Sequence, residues 1–217
     1  MALDVKTGAE WIAKAAAQGH ARAQFELGRC YARGTGVARD APVAAEWYAK
    51  AAAQGVAEAQ FNLGCCYEYS DGVAQDWARA FEWYGKAAAL GHAGSQSSVA
   101  FAYGDGLGVA QDSALAAEWH AKAAEQGDPF SQFALGCCFE NGSGVAQDNV
   151  LAATFYGKAA TQGLALAQNN LGVCFEFGLG VAQDAMAAVD WYRPRPSGMQ
   201  RRRYRGTPRR KTSSASS

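Results

Sequence analysis

Six aromatic residues, Trp11, Trp47, Trp83, Trp119, Phe155 and Trp191, recur at intervals of 36 residues with no slip. Gly19, Gly55, Gly91, Gly127 and Gly163 keep the same interval, and so do Gln24, Gln60, Gln96, Gln132 and Gln168. A third series runs Asp4, Asp40, Asp76, Asp112, Asp148 and Asp184. A fixed period of this length, free of insertions, means that one supersecondary unit is repeated along the chain. Such a unit cannot bury its apolar faces alone, so the units must stack.

Residues 21–55 show what one unit contains. Alanine is abundant and β-branched residues are few, which favours helices over strands. Ala23, Leu27 and Tyr31, with Gln24 and Gly28, fall at helical spacing and predict a first helix over about 21–33. Gly34 and Gly36 stop it, since glycine readily takes the left-handed conformation of a helix end. Val37 is an apolar plug in the turn. Asp40 stands where a second helix, over about 41–53, needs an N-cap. Ala44, Trp47, Tyr48, Ala51 and Ala52 form the apolar stripe of that helix, and Lys50 suits the negative end of its dipole.

The expected fold is all-α: a right-handed α-solenoid of antiparallel helix-turn-helix repeats. It starts with a leading second helix from Asp4, continues with four complete pairs at about 21–55, 57–91, 93–127 and 129–163, and ends in a partial repeat at 165–192. Structural roles fall to Gly28, Gly64, Gly136 and Gly172, which let helices approach closely. Trp47, Trp83 and Trp119 fill the gaps between layers, with Tyr31 beside them, while Asp40, Asp76, Asp112 and Asp148 cap the second helices. Gly94-Ser95-Gln96-Ser97-Ser98, in the third first helix, has low helix propensity and is expected to be the softest point of the array.

The unit reads L-G-x-x-Y-x-x-G-x-G-V-x-x-D followed by W-Y-x-K-A-A-x-Q-G. Leu63-Gly64, Tyr67, Gly72-Val73, Asp76, Trp83-Tyr84, Lys86-Ala87-Ala88 and Gly91 follow it, while Val99-Ala100, Ser70 and His120 depart from it. This pattern resembles the Sel-one-like repeat, a relative of the tetratricopeptide repeat, over about residues 4–192. The resemblance implies a non-enzymatic adaptor or scaffold in signalling or in assembly of membrane-associated complexes, with a protein or peptide as partner and no shared catalytic residues.

Comparison of the repeats with one another suggests where such a partner sits. The first-helix positions that vary most are those of Arg22, Phe25, Glu26, Arg29, Ala32 and Arg33, which share one helical face. Packing restricts the opposite face and leaves this one to carry specificity. The candidate partner-binding residues are Phe25, Glu26, Arg29, Phe61, Asn62, Glu68, Tyr69, Phe133, Asn141, Asn169, Asn170 and Phe177. Aromatics flanked by amides and acids suit an extended peptide, whose backbone the Asn side chains can bond. The competing reading makes Phe25, Phe61 and Phe133 core residues and the acids a solvated face.

Charge divides the chain. Of 20 basic residues nine lie within 193–217, where there is no acid, so the first 192 residues hold eleven bases against all 20 acids. After Trp191-Tyr192 the repeat calls for K-A-A, and Arg193-Pro194-Arg195-Pro196 ends the helix instead. The segment 193–217 is expected to be a basic disordered tail. Its functional readings are a nuclear import signal, a contact with nucleic acid or an acidic membrane, and a kinase site. Its plain readings are a solvated tail drawn to its own acidic body and the product of a truncated or misjoined coding sequence. The chain is also read as a fragment of a longer repeat protein. Nucleic acid enters as a partner only through this tail.

Other chemistry finds little support. Cys30, Cys66, Cys138 and Cys174 share one repeat position, and Cys65 and Cys137 precede two of them. Equivalent positions on stacked helices lie about 8–10 Å apart, beyond disulfide reach, so free buried thiols are expected. His20, His92 and His120 stand at no ligand spacing from a cysteine or acid. No phosphate loop, dinucleotide fingerprint or nucleophile elbow is present. No enzyme, metal or cofactor is expected. Charges near the start argue against a secretory signal, and no stretch reads as a membrane span. A cytoplasmic location is expected, or a nuclear one through the tail.

Overall fold

The computed structural model describes residues 5–192. Over these residues the chain is helical, with no strand: α1 (Val5–Ala17), α2 (Ala21–Arg33), α3 (Ala41–Ala53), α4 (Ala57–Tyr69), α5 (Trp77–Ala89), α6 (Ala93–Asp105), α7 (Ser113–Glu125), α8 (Pro129–Asn141), α9 (Asn149–Thr161), α10 (Ala165–Phe177) and α11 (Ala185–Tyr192). The start at Asp4 and the basic segment 193–217 lie outside the described residues. Each helix packs on the helices before and after it in the chain, and short turns between packed neighbours make them antiparallel. The even-numbered helices are the first helices of the repeats and the odd-numbered ones the second. The result is an α-solenoid.

Local chemistry sets the helix ends. Asp40 accepts from the Val43 amide at 3.0 Å, and Asp76 from Arg79 at 3.0 Å. Asp112 and Asp148 each cap two amides, so four second helices begin on a satisfied carboxylate. At the other turn Gly34 adopts φ 71° and returns its amide to the Cys30 carbonyl. The following turn glycine is required for a second reason. A Cβ on Gly144 would lie 2.0 Å from the Ser113 carbonyl oxygen, so this turn sits directly on the start of the previous repeat's second helix.

The core is a series of clusters, most of them shared between neighbouring repeats. Tyr48 packs with Phe25 of its own repeat and with Ala59, Leu63 and Cys66 of the next, and Tyr156 does the same with Phe133, Ala167, Leu171 and Cys174. This tyrosine is the fully buried residue between layers, and Trp47, Trp83 and Trp119 pack against the same kind of inter-repeat cluster beside it. These three are only partly buried. Each is covered by the lysine three residues on, with Nζ at 4.0 Å from the ring of Trp47, 3.9 Å from Trp83 and 4.1 Å from Trp119. Such contacts stabilise exposed sites by about 0.5–1 kcal/mol each.

The glycine partners of the tyrosines follow from the same geometry. A Cβ on Gly28 would come within 2.7 Å of the Tyr48 ring, and on Gly64, Gly136 and Gly172 within 2.6–2.7 Å of Tyr84, Tyr156 and Tyr192. A second ladder joins units through amides. Gln24 donates to the Ala16 carbonyl at 3.3 Å and accepts from Gln54 at 2.7 Å. Gln96 and Gln132 repeat this with Gln126 and Gln162. Despite its serines, α6 is continuous. Ser95 is wholly buried, its amide is capped by His92 Nδ1 at 3.1 Å, and Ser98 Oγ returns to the Gly94 carbonyl at 3.0 Å.

Candidate partner-binding face

The first helices all present the same positions in the same order, so equivalent residues form rows across the stack. The last helical position gives Arg33, Tyr69, Asp105, Asn141 and Phe177, and all five are exposed. No two of them are the same residue. The position before it gives Ala32, Glu68, Gly104, Glu140 and Glu176. The three carboxylates of this row accept from the tyrosine hydroxyl of the same repeat, each at 2.5 Å: buried Tyr84 to Glu68, buried Tyr156 to Glu140 and the exposed Tyr192 to Glu176. The next repeat contributes an amide to the equivalent hydroxyl in two repeats, Asn62 to Tyr48 and Asn170 to Tyr156. Glu68, Asn62 and Asn170 are thereby oriented groups at the edge of the core, half-buried rather than free on the surface.

The predicted residues separate along this face. Tyr69 and Phe177 are 53% and 64% exposed, and Asn141 and Asn169 are exposed with them. Glu26 and Arg29 are half-buried and bonded to each other at 2.8 Å. Phe61 is half-buried between the rings of Tyr84 and His92. Phe25 and Phe133 are core residues, 5% and 8% exposed, against Tyr48 and Tyr156. They offer no surface to a partner, and they leave the candidate set. Their position varies between repeats because Ser97 and Asn169 occupy it elsewhere, and variation alone does not distinguish a repacked core position from a free one.

Between α2 and α4 lies a cleft of about 460 Å³, lined by Arg29, Arg33, Arg39, Tyr48, Asn62 and Tyr69 among others. Charge falls unevenly about it. The helices α4, α6, α8 and α10 carry no Lys or Arg, while α2 carries Arg22, Arg29 and Arg33. Arg33 and Arg39 were not among the candidate residues. Arg33 stands on the variable first-helix face and Arg39 in the turn that follows, and only the juxtaposition of α2 with α4 gives them a shared cleft.

The buried thiols, phenols and imidazole are held in their neutral forms. Burial pushes the Cys66 thiol up to about 12 and Cys137 to about 11, so neither is a thiolate nucleophile at neutral pH. Burial likewise raises the Tyr84 and Tyr156 hydroxyls well above the usual phenol range, and lowers His120 to about 4. The arrangement favours binding by hydrogen bonds and shape over proton transfer. All six cysteines are free. Among the described residues no three His, Cys, Asp or Glu side chains gather as a metal site, and no helix is long and apolar enough to cross a membrane.

The family model of the Sel1 repeat matches residues 3–20, 21–56, 57–92, 93–128, 129–164 and 165–194. No curated protein sequence matches the chain. Among solved structures it is similar to c5321, a protective antigen present in uropathogenic Escherichia coli strains and displaying an SLR fold. The two share 36% identity at a TM-score of 0.84, over 87% of this chain and 40% of that one, so this chain spans well under half the antigen's length. A Sel1 repeat protein from Oxalobacter formigenes shares 36% identity at a TM-score of 0.77, over 81% of this chain and 72% of its own. Immunity protein Pa5087 from Pseudomonas aeruginosa, at 21% identity and a TM-score of 0.53 over 88% of this chain and 74% of its own, shares the fold alone. With consecutive repeat matches from residue 3 to residue 194 and this likeness to solved members, the chain belongs to the Sel1 repeat family.

Proposed function

We propose that the protein is a non-catalytic interaction scaffold that binds a protein or peptide partner along the exposed face of its first helices. The observation that carries this reading is the row Arg33, Tyr69, Asp105, Asn141 and Phe177, exposed throughout and different in every repeat, on a framework whose capping Asp, ladder Gln and turn Gly positions recur every 36 residues. A repeated frame fixes spacing and leaves the row to recognise one partner sequence. Beside it, carboxylates and amides held by tyrosine hydroxyls present oriented acceptors and donors at regular intervals, a pattern suited to an extended segment. Family membership supports the same reading, since Sel1 repeats generally serve protein interactions.

The test is capture of a binding protein from source-cell lysate on the immobilised full chain, followed by affinity measurement with that purified protein. Tyr69→Ser and Phe177→Ser change exposed residues and leave the fold intact. The expected result is a combined loss of affinity of about tenfold or more with unchanged helicity. Affinity that survives both changes but disappears with nuclease treatment or deletion of 193–217 would assign the function to the basic tail.

A further inference from the structure

We propose that the cleft between α2 and α4 receives a carboxylate side chain of the bound partner segment and so fixes the direction in which that segment lies along the first helices. The inference rests on the first-helix face being the partner surface, and it names the chemistry of one end of the partner.

Three guanidinium groups, those of Arg29, Arg33 and Arg39, line this cleft with Asp71 as the only carboxylate among them. Two are engaged in exchangeable ways. Arg29 meets Glu26 at 2.8 Å and Arg39 meets Asp71 at 3.4 Å, each pair partly open to water, where an ion pair contributes little and a competing carboxylate can replace it. Arg33 is exposed and makes no ion pair among the described residues. Its planar fork matches a carboxylate in two parallel hydrogen bonds. Asn62 and Tyr69 add neutral polar groups on the opposite wall.

The rest of the face excludes the same ligand. No first helix after α2 carries a cation, and beyond α4 the acids Asp105, Glu140 and Glu176 stand on α6, α8 and α10. An acidic residue is thus attracted at one end of the face and repelled along the remainder, which sets orientation by charge. The partner segment places its acid over α2 and α4, with uncharged or basic residues over α8 and α10.

The test uses the full chain and a fluorescein-labelled hexaglutamate peptide bearing one benzoylphenylalanine, cross-linked by light and mapped by mass spectrometry. Adducts are expected at Arg29, Asn62 or Tyr69, falling by about tenfold in R33E and in a glutamine version of the probe, and by less in R33K, which keeps the charge but not the fork. The exposed Arg33 side chain leaves the melting curve unchanged in both variants. Adducts confined to 193–217, or cleft adducts indifferent to R33E, overturn the proposal. Displacement by an oligonucleotide at lower concentration than by unlabelled hexaglutamate also overturns it, by making the cleft a phosphate site. If Tyr69→Ser and Phe177→Ser release the partner while R33E leaves the probe unaffected, only the cleft assignment falls. If the partner ignores the face substitutions, the scaffold reading falls and the probe result stands separately.

Discussion

Leu90 stands at the place from which a glutamine in other repeats reaches back to the preceding first helix, and the amide oxygen it fails to meet is that of Gln60. Gln54, Gln126 and Gln162 donate to Gln24, Gln96 and Gln132 at 2.7–2.8 Å, in each case across 30 residues. Gln60 Oε1 is buried with no hydrogen-bond partner among the described residues. Its Nε2 still reaches the Ala52 carbonyl at 3.1 Å, so the side chain is held in place with its acceptor unmet. Leu90 itself is 59% exposed and gains little from the exchange.

Leu90→Gln is therefore expected to stabilise the array by about 1 kcal/mol, the net value of one hydrogen bond to a buried acceptor. The reverse change, Gln126→Leu, is expected to cost about 1–3 kcal/mol because it leaves Gln96 in the position of Gln60. Urea unfolding of both variants beside the parent checks the pair. A neutral Leu90→Gln would mean that the Gln60 oxygen is already satisfied in solution.

The close approach of Gly64 to Tyr84 leads to a coupled prediction. A methyl at Gly64 would lie 2.6 Å from the Tyr84 ring, so Gly64→Ala is expected to destabilise by about 1–3 kcal/mol. The third repeat already holds the compensated pair, Ala100 for the glycine and the smaller ring of His120 for the tyrosine. Tyr84→His in the Gly64→Ala background should recover part of the loss, with a coupling of about 1 kcal/mol in a double-mutant cycle. Strict additivity would count against steric contact as the cause.

Ser70 is the one non-glycine residue with positive φ among those described, at 56°, where Gly34, Gly106, Gly142 and Gly178 stand at 68–71° in the other repeats. A side chain in this region costs about 1 kcal/mol or more. Ser70 Oγ offsets part of that cost by donating to the Val73 carbonyl at 3.1 Å. Ser70→Gly is expected to raise the melting temperature modestly, by about 0.5–1 kcal/mol of stability, and Ser70→Ala to lower it.

Features that act within one unit were legible from the residues. Asp40 and Gly34 mark helix ends because caps are local, and Gln24 or Gly28 could be recognised as framework by recurrence. What recurrence conceals is rotational phase. Trp47 and Tyr48 recur together, yet only the tyrosine is fully buried. Phe25 and Tyr69 both occupy variable positions, yet one is core and the other surface. The partnership of Gln24 with Gln54 crosses two helices. The cleft at Arg33 and Arg39 needs α2 and α4 side by side, so spacing within either helix carries no sign of it.

His120 provides the sharpest dependence on conditions. It is buried, its Nδ1 stands 3.3 Å from Ser131 Oγ, and Phe101 meets its ring edge-on at 4.8 Å. No charged partner among the described residues compensates, and burial lowers it from 6.5 to about 4. Below its unfolded value the unfolded chain takes up a proton that the folded chain refuses, so unfolding is favoured as pH falls. The contribution of this residue is complete above about pH 6.5, declines between there and about pH 4, and is flat below. Between about pH 7.5 and 4.5 the loss amounts to about 2–3 kcal/mol. Replacing the pair by the residues of the other repeats, His120→Tyr with Ala100→Gly, should remove that portion of the acid sensitivity while keeping the packing. Urea unfolding of parent and double variant across this range measures it, and parallel pH profiles would mean that His120 titrates alike in the folded and unfolded chain.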